Sequence, residues 1–169
     1  MKRLLIVWHS RTGAARQMAE AAARGAIAAA ALLEQPDDLT VTLRRAADAG
    51  VDEMLGSDAF LFCAPENLAS LSGEMKEFFD RCYYGALDRI PGRPYACLIS
   101  AGSDGAGAAR QVERICIGWR LRAVMPPLIV NLGAQTPGQI AAPKIVAADE
   151  LARCEEAGGL LAGLLLTTG

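Results

Sequence analysis

The start of the chain joins an apolar run, a short loop and an alanine-rich segment: Leu4-Leu5-Ile6-Val7-Trp8-His9-Ser10-Arg11-Thr12-Gly13-Ala14-Ala15. The five apolar residues predict a fully buried strand, and the alanines predict a long helix. A loop between a strand and a helix N-terminus aims backbone N–H groups at an anion, and glycine lets the backbone approach it closely. The hydroxyl groups of Ser10 and Thr12 add donors. We therefore interpret residues 9–15 as a phosphate-binding loop.

This loop differs from two well-known nucleotide-binding loops. No Gly-Lys-Ser/Thr follows Gly13, as a Walker loop requires, and the loop has no Gly-x-Gly-x-x-Gly. It is short and built on hydroxyl residues, which suits a single terminal phosphomonoester. The alternative is a tight strand-to-helix turn that binds no phosphate.

Composition and charge exclude several classes of protein. The chain has 169 residues, of which 52% are hydrophobic and 21% are charged, so it is long enough for one globular domain with a full core. Its net charge is −2 and no basic run stands out, so we expect no nucleic-acid partner. The apolar stretches after Lys2-Arg3 and at 158–166 are too short for a secretory signal and a membrane span, respectively.

The cysteine pattern predicts a reducing environment. Five cysteines lie at 63, 82, 97, 116 and 154, with no CxxC spacing, and the odd count disfavours a disulfide framework. We expect a cytoplasmic protein, with Cys63 as a core thiol. His9 is the one histidine and has no cysteine or acidic residue at ligand spacing, so no metal site is expected and His9 is interpreted as structural.

Predicted strands and helices alternate along the whole chain. We predict strands at 4–8, 39–43 (an edge strand), 59–64, 95–101 and 127–130; helices at 13–33, 48–56, 73–80, from 107 to near 122, and 146–166; and loops at 83–93 and 133–143. Five strands with helical crossovers predict an α/β fold, a parallel sheet with helices on both faces. The common order for a chain of this size is 2-1-3-4-5. We predict one domain spanning residues 1–169.

Three loops meet in that topology. The loops after the first, third and fourth strands are 9–15, 64–72 and 102–107, and all are rich in small, hydroxyl, glycine or proline residues. The strand order reverses between the first and third strands, and ligands bind at such a switch point. The sequence therefore predicts one ligand site at the carboxyl edge of the sheet.

Specific motifs in two of these loops resemble a known superfamily. They are Ser10-x-Thr12-Gly13-x-Ala15, Pro65-Glu66-Asn67, and Ser72-Gly73-x-Met75-Lys76-x-Phe78-x-Asp80-Arg81. The first is similar to the FMN-phosphate loop, the second to the flavin-ring loop, and the third to the helix behind it, in the flavodoxin-like superfamily. The likeness is greatest to its NAD(P)H-dependent FMN reductase and quinone-reductase branches. It implies a flavodoxin-like three-layer sandwich that binds FMN.

The resemblance also implies which residues form the site. We expect two groups of residues to contact the cofactor. The group at its phosphate is Ser10, Arg11, Thr12, Gly13, Ala14 and Ala15. The group at its ring is Pro65, Glu66, Asn67, Leu68, Ala69, Gly102, Ser103, Asp104 and Gly105. The ring contacts are expected from backbone N–H groups, with the Glu66 side chain directed away from the ring. Hydride transfer needs no protein acid or base, so no catalytic side chain is predicted.

The function that the resemblance implies is an FMN-containing oxidoreductase. It would use NAD(P)H as co-substrate and reduce flavins, quinones or similar small acceptors. Two alternative functions stay open: an electron-transfer flavodoxin with a protein partner, and a non-catalytic module that binds FMN or phosphate. The assembly is expected to be a homodimer or a homotetramer. The second loop lacks an aromatic residue to stack on the flavin. The candidate substitutes are Trp119, Tyr83 and Tyr84, and none lies in a predicted flavin loop, so we expect weaker FMN retention than in a carrier flavodoxin.

Overall fold

The computed structural model describes residues 1–168 and is built on one mainly parallel sheet. Its strands are β1 (Lys2–Trp8), β2 (Leu39–Arg45), β3 (Ala59–Asn67), β4 (Ser70–Leu71), β5 (Pro94–Ala101), β6 (Arg122–Ala123) and β7 (Leu128–Asn131). Its helices are α1 (Ala14–Leu32), α2 (Val51–Leu55), α3 (Gly73–Ala86), α4 (Ala106–Gly118), α5 (Pro137–Ala141) and α6 (Ala148–Thr167), with a 3₁₀ turn at Pro36–Asp38.

The strand order confirms the predicted topology. The sheet runs β2-β1-β3-β5-β6, while β7 also pairs with β5, and β4 pairs with β3. Strands β4 and β6 have only two residues each; without them the order is the predicted 2-1-3-4-5. The first strand lies between its partners, so that Leu4 is opposite Val41 on one side and Ala59 on the other. The predicted edge strand is confirmed as β2.

Side chains alternate between two cores, one on each face of the sheet. Leu5 and Val7 of β1 belong to a core that contains residues of α2, α3 and α4, whereas Leu4 and Ile6 belong to a core that contains residues of α1 and α6. This alternation follows from the two-residue period of a strand. Cys63, the expected core thiol, is buried, and so are Met75, Phe78 and Phe79 of α3.

Helices α1 and α6 pack so closely that their backbones touch. A methyl group at Gly158 of α6 would overlap the carbonyl oxygen of Ala22, and one at Gly25 of α1 would overlap the carbonyl group of Glu155. Glycine at both positions permits an approach that any side chain would block. The contact fixes α1, and therefore the loop that precedes it, against the C-terminal helix.

The prediction of a loop over residues 64–72 is wrong. Strand β3 continues to Asn67 and turns back as β4, with Glu66 opposite Leu71 and Asn67 opposite Ser70. Two further contacts support the hairpin: Ser72 N–H donates to the Pro65 carbonyl at 3.1 Å, and Leu71 N–H donates to Gln111 Oε1 at 2.7 Å. The partner on α4 lies forty residues along the chain, so no local pattern indicates this strand.

Other element boundaries differ where tertiary contacts decide them. The third helix extends to Ala86, because Tyr83 stacks on Trp119 of the core at 5.6 Å between ring centres. The fourth ends at Gly118, after which Arg120 adopts a φ of +56° and Leu121 N–H bonds back to the Cys116 carbonyl. The predicted helix 48–56 is limited to α2, and the predicted loop 133–143 contains α5.

Candidate functional site

The first loop is a tight turn closed by a side chain. Gly13 has a φ of +97° and forms the N-cap of α1, and its N–H donates to Ser10 Oγ at 3.0 Å. A residue with a Cβ is strained at that φ, which explains the glycine. Because the Ser10 oxygen only accepts in this contact, its O–H can still donate to a ligand.

Thr12 contributes to the fold through its backbone. Its carbonyl oxygen accepts a hydrogen bond from Lys144 N–H at 2.8 Å. The Thr12 hydroxyl makes no hydrogen bond within residues 1–168, while Arg11 beside it is exposed. The hydroxyl is therefore available for a ligand at the N-terminus of α1.

Gln17 fastens the first loop to a distant segment of the chain. Its Nε2 donates to the carbonyl oxygens of Gly13 (3.0 Å) and Lys144 (2.8 Å), and its Oε1 accepts from Val146 N–H at 3.1 Å. Lys144 Nζ in turn donates to the carbonyl groups of Gln139, Ile140 and Ala142 around the end of α5. These contacts fix the shape of the phosphate loop from outside it.

His9 lies at the start of the first loop, in a polar cluster. Its Nδ1 is 2.8 Å from the hydroxyl of the buried Ser72, and its Nε2 is 3.4 Å from Glu74 Oε2. Burial lowers the pKa of His9, more than Glu74 raises it, so the imidazole is neutral at pH 7. Nε2–H facing the carboxylate satisfies both contacts, with the Ser72 hydroxyl donating to Nδ1. These bonds agree with a structural role, and they join the first loop to the start of α3.

The second predicted loop is the turn of the β3–β4 hairpin. Leu68 and Ala69 occupy its tip with φ values of +52° and +60°, and Leu68 is fully exposed. Residues other than glycine and asparagine seldom adopt this conformation, and each is strained there. The hairpin places the backbone of residues 66–69 at the carboxyl edge of β3.

Glu66 joins the second loop to the third. Its two carboxylate oxygens accept from Gly105 N–H (2.9 Å) and Ala108 N–H (3.1 Å) at the start of α4. Gly105 has a φ of +92°, and a side chain at Gly107 would overlap the Ala69 carbonyl. The Gly105 amide is thus engaged within the protein, and the Glu66 side chain is directed at the helix terminus.

The remaining third-loop residues lie beside β7. Ser103 and Asp104 are exposed, and the Asn131 side-chain amide donates to the Ser103 carbonyl. A side chain at Gly102 would meet the Ala134 carbonyl. The segment after β7 therefore packs against this loop, as it does against the first.

The three aromatic residues named above as substitutes lie away from the second loop. Trp119 is buried, and its indole N–H donates to the Tyr83 carbonyl at 2.9 Å. Tyr84 is 84% exposed and lies edge-on to Tyr83 on α3. None of the three side chains, Trp119, Tyr83 and Tyr84, lies in a loop of the candidate site.

The three loops belong to neighbouring parallel strands. Because β1, β3 and β5 are adjacent and parallel, the residues that follow them lie at one edge of the sheet. All predicted site residues are therefore brought to that edge, and their contacts with a ligand stay a prediction. The donors there, hydroxyl groups and the amides of a helix N-terminus, suit a phosphate. They fit the terminal phosphate of FMN, because that group needs several neutral donors.

Comparison with a family model identifies the family of this chain. The model of the NADPH-dependent FMN reductase family matches residues 9–137, which include all three loops. The chain belongs to this family. A flavodoxin of Aquifex aeolicus (strain VF5) is 28% identical over 107 residues, which are 63% of this chain and 54% of that protein. The chain thus spans about half the length of that curated relative.

Solved structures show the same fold as this FMN reductase family member. A flavodoxin from the domain Archaea has a TM-score of 0.75 at 16% identity, covering 97% of this chain and 99% of its own. An oxidoreductase from Corynebacterium diphtheriae has a TM-score of 0.74 at 18% identity, covering 98% and 97%. A WrbA-like flavodoxin from Agrobacterium tumefaciens has a TM-score of 0.68 at 19% identity, covering both chains completely. The flavodoxin-like fold predicted from the sequence is confirmed.

Several residues of the candidate site were not predicted from the sequence. Gln17 and Lys144 contact each other across 127 residues, and Ser72 and Glu74 reach His9 from α3, so sequence spacing gives no signal for either. Within residues 1–168, no cluster of three His, Cys, Asp or Glu side chains is arranged to hold a metal ion. No helix in that range is both long and apolar enough to cross a membrane.

Proposed function

We propose that the chain binds FMN and is an NAD(P)H-dependent oxidoreductase that reduces flavins, quinones or similar small acceptors. The observation that carries the proposal is the first loop. It combines a positive φ at Gly13, an N–H bond to Ser10 and an unengaged Thr12 hydroxyl at the N-terminus of a nineteen-residue helix. Membership of the NADPH-dependent FMN reductase family supports the same conclusion.

The residues of the first loop would hold the FMN phosphate. The hydroxyls of Ser10 and Thr12 donate to it, together with the amides at the N-terminus of α1, whose dipole favours an anion. Gln17 keeps the loop in shape through its bonds to the Gly13 and Lys144 carbonyls. The loop thus needs no large rearrangement to bind, which lowers the cost of ordering it.

The hairpin and the third loop would orient the ring. Backbone N–H groups in 66–69 and 102–104 would meet its polar edge. The Glu66 carboxylate would not, because it accepts from the Gly105 and Ala108 amides. When bound, FMN supplies the hydride and electron transfer. The fully exposed Leu68 leaves the hairpin tip open to solvent, so a small acceptor can reach this edge.

An electron-transfer flavodoxin is the second candidate. It is favoured by the 28% identity to a protein named flavodoxin. Such carriers use charge to steer protein partners, and the net charge of −2 gives weak steering. We therefore propose small-molecule acceptors, with either a homodimer or a homotetramer as the assembly, and a cytoplasmic setting because the five cysteines are free thiols.

One experiment separates these functions. Purified protein is titrated with FMN and with riboflavin, monitored by flavin fluorescence, and then tested for oxidation of NADPH and NADH with a quinone acceptor. FMN should bind at least about tenfold more tightly than riboflavin, since several charged hydrogen bonds to the phosphate are lost. Equal affinities would remove the phosphate loop from the proposal. FMN binding without NAD(P)H oxidation would favour the flavodoxin alternative.

A further inference from the structure

Four side chains form a polar cluster between the phosphate loop and the start of α3: His9, Ser72, Glu74 and Arg45. The imidazole lies between two of them, with Nδ1 2.8 Å from Ser72 Oγ and Nε2 3.4 Å from Glu74 Oε2. Arg45, at the end of β2, lies 3.9 Å from Glu74 Oε1. Ser72 is fully buried, so it is not a nucleophile that a substrate can reach. The chemistry left to the cluster is the gain or loss of a proton at His9.

No short contact holds the Glu74 carboxylate. Its Oε1 atom is buried and makes no hydrogen bond within residues 1–168. Its distances to His9 and Arg45 both exceed the roughly 2.7–2.9 Å of a charge-assisted hydrogen bond. A buried polar atom without a partner costs free energy, and a charged donor nearby reduces that cost. Glu74 therefore favours a proton on the imidazole, because an imidazolium is such a donor.

Charged groups on three segments determine whether His9 takes up a proton. Glu74 on α3 favours the charged imidazole, whereas Arg45 on β2 and Arg11 in the phosphate loop oppose it. Burial opposes it most, so the pKa of His9 lies below the ordinary value of histidine. The free protein therefore keeps His9 neutral at pH 7, with two positive groups and one negative group around it.

The effect of Arg11 indicates that a charge in the phosphate loop acts on His9. Arg11 lies between Ser10 and Thr12, whose hydroxyls can donate to a phosphate, and its guanidinium lowers the pKa of His9. A phosphate monoester carries roughly two negative charges at pH 7, so from the same loop it acts with the opposite sign. A bound phosphate would change the surplus of positive charge around the imidazole into a surplus of negative charge.

We propose that His9 is a proton-linked positioning residue of the phosphate loop: an anion bound at residues 10–15 and a proton on His9 favour each other. The identity of the anion, the phosphate of FMN, rests on the proposed function. The proton comes from solvent and adds to Nδ1, so the Ser72 hydroxyl, which donates to the neutral ring, becomes the acceptor. The imidazolium then donates to Ser72 and Glu74 together, which ties the occupied loop to the start of α3.

The test follows the charge of His9 directly. His9 is the one histidine of the chain, so in protein free of a histidine tag its C2–H proton gives a single NMR signal. That signal is titrated with pH in protein without ligand, with FMN, with inorganic phosphate and with riboflavin, all at constant ionic strength. FMN and inorganic phosphate should move the midpoint to higher pH, because each places negative charge in the loop. Riboflavin lacks the phosphate and should leave the midpoint unchanged.

Three variants test which charges act on the imidazole. Arg11→Gln should raise the midpoint of the free protein, since a nearby positive charge is removed. Arg24→Gln, on α1 and paired with Glu155, is the matched control and should leave the midpoint unchanged. Glu74→Gln should lower the midpoint with and without FMN, because the favourable carboxylate is lost.

The reciprocal effect is a pH dependence of FMN affinity. FMN is titrated into the wild type and into His9→Asn, whose side-chain oxygen can accept from Ser72 but takes up no proton. The ratio of the two affinities cancels the titration of the phosphate itself. It should rise about threefold in favour of the wild type between about pH 8 and about pH 6. If His9 were only structural, the variant would lose the same factor at both pH values.

The outcomes separate this coupling from the proposed function. Equal midpoints with and without saturating FMN would overturn the coupling and leave FMN binding intact. A midpoint that inorganic phosphate raises in a protein unable to bind FMN would support the coupling and contradict the proposed function. Failure to bind either anion would contradict both. The NMR titration uses the wild type, so it decides the matter even if His9→Asn folds poorly.

Discussion

The carboxylate of Glu66 accepts a hydrogen bond from the Gly105 amide at 2.9 Å and a second from Ala108 at 3.1 Å. This contact links the hairpin of β3 and β4 to the N-terminus of α4. An acidic side chain at a helix N-terminus satisfies unpaired amides and interacts favourably with the helix dipole. Two loops of the candidate site are thus held at a fixed separation by one residue.

We predict that Glu66→Gln lowers stability. The amide replaces one acceptor oxygen by an NH₂ group that faces a backbone N–H, and it removes the charge. The loss is about 2 kcal/mol, or roughly 4–8 °C in Tm for a chain of this size. Thermal unfolding of Glu66→Gln and of the exposed control Glu156→Gln measures it. Equal melting temperatures would mean that the Glu66 bonds contribute nothing net.

The same variant tests the orientation of Glu66 toward the cofactor. Since its carboxylate is bound to the α4 terminus, the flavin midpoint potential should change little in Glu66→Gln. Potentiometry of the FMN-loaded variant measures this. A large shift would place the carboxylate beside the ring and contradict its assignment as a link between loops.

We predict that Thr12→Val weakens FMN binding more than tenfold, since losing a hydrogen bond to a charged group costs about 1.5–3 kcal/mol. The fold should be unaffected, because Lys144 bonds to the Thr12 carbonyl and not to its hydroxyl. Paired FMN titrations and melts of Thr12→Val and of Thr40→Val, an exposed position on β2, provide the comparison. A lower Tm with unchanged affinity would make Thr12 a structural residue.

The sequence was sufficient for the sheet order and the first loop, and insufficient for the hairpin. The local sequence determines the structure of residues 4–15, because an apolar run, a glycine with positive φ and an alanine-rich helix follow one another. The hairpin depends on Gln111, and the turn Leu68-Ala69 lacks the glycine or asparagine that marks such turns. Local propensity indicated a loop there, and tertiary contacts produced strands.

The contacts of Gln17 are a second feature that the sequence does not predict. Within α1 it is one polar residue among alanines, and nothing near it in the sequence indicates its bonds to residues 144 and 146. We predict that Gln17→Leu leaves the Gly13 and Lys144 carbonyls without their side-chain donor and lowers both stability and FMN affinity. The loss in stability should be about 1–3 kcal/mol, because the Lys144 carbonyl and the Val146 N–H lose their side-chain partner, whereas the Gly13 carbonyl keeps the Gln17 N–H.

Gln17→Glu sharpens that test. Its carboxylate can accept from Val146 N–H, but it cannot donate to the two carbonyls and repels them. It should therefore be at least as damaging as Gln17→Leu when both are compared by urea unfolding and FMN titration. Wild-type behaviour of either variant would show that the segment after α5 does not hold the phosphate loop.

The contact between α1 and α6 gives a prediction with an internal control. In helix α6, Gly158 faces the Ala22 carbonyl, whereas Gly163 has no atom within 4 Å of the position of an added Cβ. Alanine is the better helix former by about 1 kcal/mol, so Gly163→Ala should raise stability by up to that amount. Gly158→Ala should lower it, because the methyl must push the two helix backbones apart, and overpacking costs roughly 1–3 kcal/mol. Urea unfolding of both variants decides the matter. A stabilised Gly158→Ala would mean that α1 and α6 can separate freely, and the anchoring of the phosphate loop by α6 would then have to be abandoned.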